Sequence, residues 1–491
     1  MRPWLAAAAL PLLLLLAGLG SFGLLNNVEG MYAEIGREML VGGNWHGWVI
    51  PHLNGLPYIE KPPLLYWATA LSMALFGPHD WAVRLAPVAA GLLTLAGVAW
   101  WAARLGGRTL GASSLFVLGT TGGFLLIARV ALTDALLTAF LTLACLLAYL
   151  ALAEQRRLWW RLALACAALA MLAKGFVALA LFGLIGVCHL LINERAHWRQ
   201  HLRLIADPLG WGLFLLLAVP WHLAAARELP QFTWFYFVNE HWLRFLGQRE
   251  PKDYYSGNVF YYLPRLALMA LPWWPLALVA RWKRPATDDG QRAAARFLWV
   301  CVLAPLIFFS ISKAKANYYA VVCLPPLALL AALSLERWRQ AGTLLLRTRL
   351  LALPGLLLIP ALVLLLDQAQ RSEAEFSARP LANEIARRGG LPLFLYQDYE
   401  NASALPFYLQ RADIGIIDSQ SDDLRFGLSL KRDPQRYPSL AAFAARREPA
   451  LVLVYDSRAR NGLPPPLQAG LQKELRVGNA TLYRFQPPPL H

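Results

Sequence analysis

The chain has 491 residues, 57% of them hydrophobic and only 15% charged, with a formal net charge of +16. The apolar share exceeds the soluble range and several runs reach the roughly 20 residues needed to cross a bilayer, which excludes a soluble globular protein and indicates a polytopic α-helical membrane protein. The basic residues fall mainly in short loops between apolar runs, so the charge reads as orientation in the membrane, and no nucleic-acid partner is expected.

The first apolar run, residues 4–25, reads as a retained first span. It is longer than the apolar region of a signal peptide, no small-x-small cleavage pattern follows it, and further apolar runs come later. The stretch from Asn26 to Pro63 is too hydrophilic to cross a bilayer and holds Glu29, Glu34, Arg37, Glu38, His46, His52, Glu60 and Lys61. Residues 32–40 pattern as an amphipathic helix, with Ile35, Met39 and Leu40 opposite Glu34, Arg37 and Glu38, so this stretch is expected as a structured loop on the membrane face. Carboxylates and a Lys at a lipid–water boundary suggest chemistry on a phosphorylated lipid. Glu29 can ligate a divalent cation or accept a proton from an attacking hydroxyl, and it can equally be the acidic residue that a helix N-terminus favours. Tyr58-Ile-Glu-Lys-Pro-Pro sets Glu60 beside Lys61 ahead of two prolines that fix the backbone. Lys61 can hold a lipid phosphate as a point charge, or snorkel from the interface to water.

Further spans are expected at about 81–103, 109–127, 131–153, 158–173, 175–193, 209–226, 262–281, 297–312, 319–335 and 350–366. Together they make roughly eleven to thirteen crossings. Alternate loops sort by basic charge: Arg104/Arg108, Arg156/Arg157/Arg161, Arg195/Arg199/Arg203, Arg281/Lys283/Arg284/Arg292/Arg296 and Arg337/Arg339/Arg347/Arg349 fall in one set, which the positive-inside rule makes cytoplasmic. The other set then lies outside: 26–80, the turns near Arg129–Asp134, Lys174 and Lys313–Tyr319, the loop 227–261, and everything after about 367. Every site-like residue falls in this second set.

Asp134, at the membrane edge, is a functional candidate because carboxylates there are costly, yet Thr133-Asp134 can also cap a helix. Lys174 interrupts two apolar runs and invites the same pair of readings. In 227–261, Glu240 and Arg244 stand four apart on one helix face with His241 alongside, amid aromatic residues typical of an interface belt. Lys313, Lys315 and Tyr319 form a cationic turn on the side that the charge bias disfavours, which suggests an anionic ligand. The five cysteines (Cys145, Cys166, Cys188, Cys301, Cys323) sit inside apolar runs without paired spacing and read as core residues. Beyond 367, PLFLYQ, DIGIID, ALVLVYD and TLYRF pattern as strands, with ALPFYLQR and SLAAFAARR as helices between some of them. The chain thus divides into 1–367, a multi-span part carrying the outer loop 26–80, and 368–491, a small α/β domain on the outer face.

These motifs carry a resemblance. Glu29-x-x-Tyr-Ala-Glu-Ile-x-Arg-Glu-Met-Leu, Pro51-His-Leu-Asn-Gly-Leu-Pro-Tyr-Ile-Glu-Lys-Pro, Lys174-Gly-Phe, Pro220-Trp, Glu240-His-x-x-Arg-Phe and Lys313-x-Lys occur in order over about residues 20–330. The pattern resembles the bacterial aminoarabinose-to-lipid-A transferases and, more broadly, the protein O-mannosyltransferase-related branch of the polyprenyl-phosphate-sugar glycosyltransferases of GT-C fold. The resemblance implies a bacterial inner-membrane enzyme with its active site facing the periplasm, taking its sugar from a polyprenyl (undecaprenyl) phosphate. The acceptor would be lipid A, another glycan or a protein, and membrane lipids would surround the site. By motif position Lys61 and Arg244 would hold the donor phosphate, with Tyr58, Lys313 and Tyr319 nearby, and Glu60, Lys174, Glu240, His241 and Lys315 are further candidates. Asp134 would match the family's carboxylate in the second outer loop. The family's first outer loop carries Asp-Glu, whereas here Val28 precedes Glu29. Any base or metal role of that Asp would pass to Glu29 or Asp134, with a divalent cation as the candidate cofactor.

Polyprenyl phosphate is already a competent leaving group, so the implied course is one in-line displacement with inversion, cations neutralising the departing phosphate and a carboxylate orienting or deprotonating the acceptor. Two other classes share these features: a lipid-linked-sugar flippase and a non-catalytic membrane assembly protein.

Overall fold

The computed structural model describes residues 2–195, 197–252, 257–279, 289–340, 344–431, 433–460 and 462–487. It divides into two compact units: Met1–Ala17, Glu60–Leu65 and Arg84–Leu364 form the first, and Gly18–Ile59, Tyr66–Val83 and Leu365–His491 the second. This boundary differs from the one drawn at 367 in sequence, because most of the segment 26–80 clusters with the tail.

The first unit is helical, as its apolar runs dictate. Among the described residues five helices are long and apolar enough to cross a membrane: Leu85–Gly119, Thr133–Glu154, Pro208–Glu228, Asp289–Ile311 and Tyr319–Trp338. Shorter apolar helices, Ala7–Leu16 and Phe176–Ile192 among them, make up more of the expected spans. The runs 81–103 and 109–127 form two helices within Leu85–Gly119, interrupted as expected between them where Gly106 and Gly107 leave helical geometry, Gly107 at φ +81°; the second run breaks again at Thr120 before a short helix, Gly122–Ala128. One expectation needs correction. The run 262–281 gives two short helices, Tyr262–Met269 and Trp274–Val279, because Pro272 between them has no N–H to continue the ladder.

Thr133–Glu154 and Arg157–Lys174 form an antiparallel hairpin, turned at Gln155 in the left-handed region (φ +50°). Ala144, Ala151, Ala167, Ala168 and Ala218 sit in its core with Leu164 and Met171, and such small side chains let helices approach closely. Arg129 closes a helix end: its guanidinium donates to Leu14 O and Ala17 O at 2.5 and 2.6 Å, taking up carbonyls left unpaired beyond Arg2–Leu16.

The second unit contains a five-stranded sheet ordered β4-β3-β5-β7-β6, where β3 is Leu393–Tyr396, β4 Gly415–Ile417, β5 Ala450–Tyr455, β6 Leu471–Val477 and β7 Ala480–Phe485. β3 pairs parallel with β4 and β5, while β7 pairs antiparallel with β5 and β6. Phe394, Ile417, Phe443, Val452, Val454 and Phe485 fill one of its hydrophobic clusters. The segment 26–59 joins this unit through a helix, Glu29–Gly42, and a hairpin of β1 (His52–Leu53) and β2 (Leu56–Pro57) turned on Asn54-Gly55, the residue pair that tight hairpin turns prefer. Arg436 donates to Asn54 O at 2.7 Å, Asn54 donates to Ile414 O at 2.9 Å, and Asn27 N–H donates to Glu400 O at 3.1 Å. These bonds link loop and tail more than 300 residues apart in sequence.

Candidate active site

The site in the first unit is assembled from helix ends and connecting segments. Pro62 and Pro63 follow Lys61 and hold it ahead of the next helix. Asp134 is the second residue of Thr133–Glu154, and Lys174 the last of Arg157–Lys174. Gly175 follows at φ +81°, where a Cβ would run into His241 and Tyr236, so only glycine fits this corner. Thr233–Leu243 is a π-helix, the rare wide winding that concentrates at functional sites, and it carries Glu240 and His241 ahead of the turn Arg244–Leu246. Aromatic rings fill its side: Phe232 stacks on Tyr236 at 4.9 Å, and Tyr236 meets His241 edge to face at 4.7 Å.

At the centre is Glu240, whose side chain is 1% exposed. One carboxylate oxygen accepts from Lys61 at 3.1 Å and from Arg244 at 2.9 Å, and the other is bonded by Arg249. Arg249 also pairs with Glu60 at 2.8 Å and donates to Pro251 O. Asn239 clamps this arrangement, its amide donating to Glu250 O at 2.7 Å and accepting from Glu250 N–H at 3.0 Å, which fixes the residue next to Arg249. Burial by itself pushes the Glu240 carboxyl up, but the cations of Lys61, Arg249 and Arg244 together hold it well below the ordinary carboxylate range. Burial raises Glu60, and Arg249 offsets only part of that. Lys61 is lowered by burial, partly restored by Glu240.

A cavity of about 280 Å³ opens beside this network. Glu60, Lys61, Lys174, Glu240, His241, Arg244 and Tyr319 give its wall polarity, and Phe176, Phe245, Phe308 and Phe309 give it an apolar side. Lys174 forms a buried ion pair with Asp134, and its ammonium lies 4.4 Å from the Tyr319 ring centroid. His241 is a positioning residue. Its Nε2 accepts from Phe176 N–H at 3.0 Å while Nδ1 donates to Tyr236 O at 2.6 Å, and burial pulls its pKa down to about 4, so the ring is neutral.

Seven residues expected from the sequence therefore share one cavity wall: Glu60, Lys61, Lys174, Glu240, His241, Arg244 and Tyr319. Asp134 stands behind Lys174 rather than in the wall. Lys313 is exposed and is not part of that wall, although its neighbours Ser312 and Ala314 are. Lys315 is buried with its ammonium donating to Phe309 O and Ser310 O at 2.9 Å each, so it caps the helix Asp289–Ile311 instead of facing the cavity. Tyr58 and Glu29 belong to the second unit, where both are buried, and Glu29 accepts from Leu25 N–H at 3.1 Å. Among the described residues no three His, Cys, Asp or Glu side chains gather as a metal site. Sequence reading missed Arg249, and its only signal was one more charge in the already charged loop 227–261.

Residues 60–223 match the family described as dolichyl-phosphate-mannose-protein mannosyltransferase. The undecaprenyl phosphate-alpha-4-amino-4-deoxy-L-arabinose arabinosyl transferase of Pseudomonas paraeruginosa is 31% identical over 95% of this chain and 95% of its own. The protein of that name from Yersinia enterocolitica is 35% identical over 62% of this chain, a match that spans about half, 54%, of that relative. Among solved structures, ArnT from Cupriavidus metallidurans bound to undecaprenyl phosphate is 25% identical, with a TM-score of 0.80 over 98% of this chain and 97% of that one. Likeness of sequence and fold over nearly the whole chain leads to one assignment: the chain belongs to the undecaprenyl phosphate-alpha-4-amino-4-deoxy-L-arabinose arabinosyl transferase family of GT-C glycosyltransferases.

Proposed function

We propose that this protein transfers a sugar from an undecaprenyl phosphate donor to an acceptor at the periplasmic face of the bacterial inner membrane. The relatives' shared name makes 4-amino-4-deoxy-L-arabinose the first sugar to test. Lipid A is the first acceptor, ahead of another glycan or a protein.

One observation carries this reading: a cavity with Lys61, Arg244 and Lys174 in its polar wall and four phenylalanines in its apolar wall. Such a wall suits a molecule that is a phosphate at one end and a hydrocarbon at the other. Across the site Lys61, Lys174, Arg244 and Arg249 face Glu60, Asp134 and Glu240, which leaves one positive charge in excess. A sugar phosphodiester brings one negative charge. When the bond from the anomeric carbon to the phosphate oxygen breaks, its electron pair goes to that oxygen and the phosphate gains charge, which Lys61 and Arg244 stabilise. The acceptor oxygen attacks from the opposite face, so the anomeric configuration inverts.

A hydroxyl acceptor must also lose a proton. Asp134 is the base or acceptor-orienting group, with Glu29 as its alternative. An acceptor that is itself a phosphate arrives anionic and requires neither.

The test gives purified protein in detergent a synthetic undecaprenyl-phosphate sugar and a candidate acceptor. Release of undecaprenyl phosphate with a mass-identified glycosylated product is expected. Donor binding without release under any acceptor would overturn the proposal, because a flippase or an assembly protein performs no bond exchange.

A further inference from the structure

We propose that a basic cleft at the end of the helix hairpin remote from the site binds the phosphate group of an anionic phospholipid. The hairpin sets the two places apart. Asp134 and Lys174 lie at one end of Thr133–Glu154 and Arg157–Lys174. At 1.5 Å per residue, a helix of 22 residues puts its other end roughly 30 Å away, the depth of a bilayer's hydrocarbon core. There a cleft of about 580 Å³ is walled by Gln155, Arg157, Arg199, Gln200, Arg203 and Leu204.

Among the described residues no carboxylate lies in this wall, and those nearby are committed elsewhere. Glu154 accepts from Arg104 at 2.6 Å and from the Trp159 indole at 2.8 Å. Asp207 takes Arg161 at 2.8 Å and the Gly210 N–H at 2.9 Å, and reaches Arg157 only at 3.8 Å. Glu194 stands 3.4 Å from His201. Residues 154–161 and 194–207 together hold six arginines and three carboxylates, so the cleft keeps a positive excess.

The apolar residues choose the ligand. The helix Trp198–Ile205 interleaves Arg199 and Arg203 with Trp198 and Leu202, which are 44% and 47% exposed. Leu158 and Trp211 are exposed as well, and the indoles of Trp160 and Trp211 both donate to Ile205 O, at 3.1 and 2.8 Å. Tryptophans at headgroup depth, leucines open to acyl chains and guanidinium forks suited to phosphate describe a lipid site at a membrane interface. A soluble phosphate would use the arginines and leave the leucines and tryptophans in water.

Full-length protein in detergent is titrated with phosphatidylglycerol, with phosphatidylethanolamine as the zwitterionic control, and bound lipid is counted by native mass spectrometry. Arg199→Gln/Arg203→Gln is expected to weaken phosphatidylglycerol binding by about 10–30-fold, since each basic side chain at an anionic surface contributes several-fold. Arg292→Gln, an exposed change outside the cleft wall, leaves binding as in the unmodified protein, and both variants keep donor turnover in detergent. Equal retention of phosphatidylglycerol by the double variant overturns the proposal, as does equal binding of phosphatidylethanolamine. Displacement of the lipid by millimolar inorganic phosphate also overturns it, because the cleft would then be a site for a soluble anion.

Discussion

Replacing Glu240 by Gln tests the charge network at its centre. The carboxylate is 1% exposed and serves Lys61, Arg244 and Arg249, so the amide leaves three cations with Glu60 as their remaining anion. Removing one partner from a buried ion cluster costs about 3–5 kcal/mol. Lys61 and Arg244 are 15% and 22% exposed and regain some water, and Arg249 keeps Glu60 at 2.8 Å, which points to the lower end of that range. A loss of about 3 kcal/mol lowers the folded-to-unfolded ratio roughly a hundredfold. The cations hold the Glu240 carboxyl below its ordinary 4.5, so its contribution is present above that pH and is lost as pH falls through the lower folded value. The stability gap between wild type and variant is therefore flat from about pH 5 upward and narrows only on further acidification. Because the variant carries one more uncompensated cation, undecaprenyl phosphate should raise its thermal stability by more than it raises that of wild type. Thermal unfolding in detergent, with and without that lipid, reads both effects. A variant as stable as wild type, or one that gains less from the lipid, refutes the network as described.

Lys61→Ala should weaken donor binding and lower turnover by about 10²–10³, the cost of losing one preorganised group that meets developing charge; normal turnover moves the phosphate contact elsewhere. Asp134→Asn should slow transfer to a hydroxyl acceptor by about 10²–10⁴ with little change in donor affinity. Near-normal activity there with collapse in Glu29→Gln transfers the role to Glu29, and no effect of either removes the base from the mechanism. His241 is held near 4 against an ordinary 6.5, chiefly by burial, so its contribution is present above pH 6.5 and lost as pH falls through 4 while only the unfolded chain takes the proton. His241→Asn should flatten the acid-side fall in thermal stability by ~2 kcal/mol after allowance for partial exposure, and an unchanged pH profile between 6.5 and 4 contradicts that. A reporter fused after the C-terminus should report the periplasm and one inserted near Arg199 the cytoplasm; the reverse result inverts the topology.

What the sequence displays is local periodicity, and what it hides is pairing. β3, β4, β5 and β7 were legible because their apolar residues run together, whereas β6, Leu-Gln-Lys-Glu-Leu-Arg-Val, alternates exposed charge with half-buried residues and passes for a linker. Glu240 and Arg244 declared themselves through four-residue spacing, but Lys61 meets Glu240 across 179 positions and Lys174 meets Asp134 across 40. No spacing rule reaches that far. The sequence reading accordingly ranked these cations by motif position alone, with Lys61 and Arg244 on the donor phosphate, Lys313 nearby and Lys315 as a further candidate. The structure separates them by their partners. Two share a carboxylate at a cavity wall, one caps a helix and one is exposed. The shared carboxylate also changes what the first two can do. A pair of unneutralised cations would hold a lipid phosphate after transfer as firmly as before it. Glu240 offsets half of that pair's charge in the resting site, so in the proposed reaction an arriving phosphodiester would meet a smaller excess and the departing phosphate would be held less tightly. Arg249, invisible to the motif, is what keeps this compensation partial: by drawing on both Glu60 and Glu240 it leaves the network one charge positive, the sign that a donor anion requires.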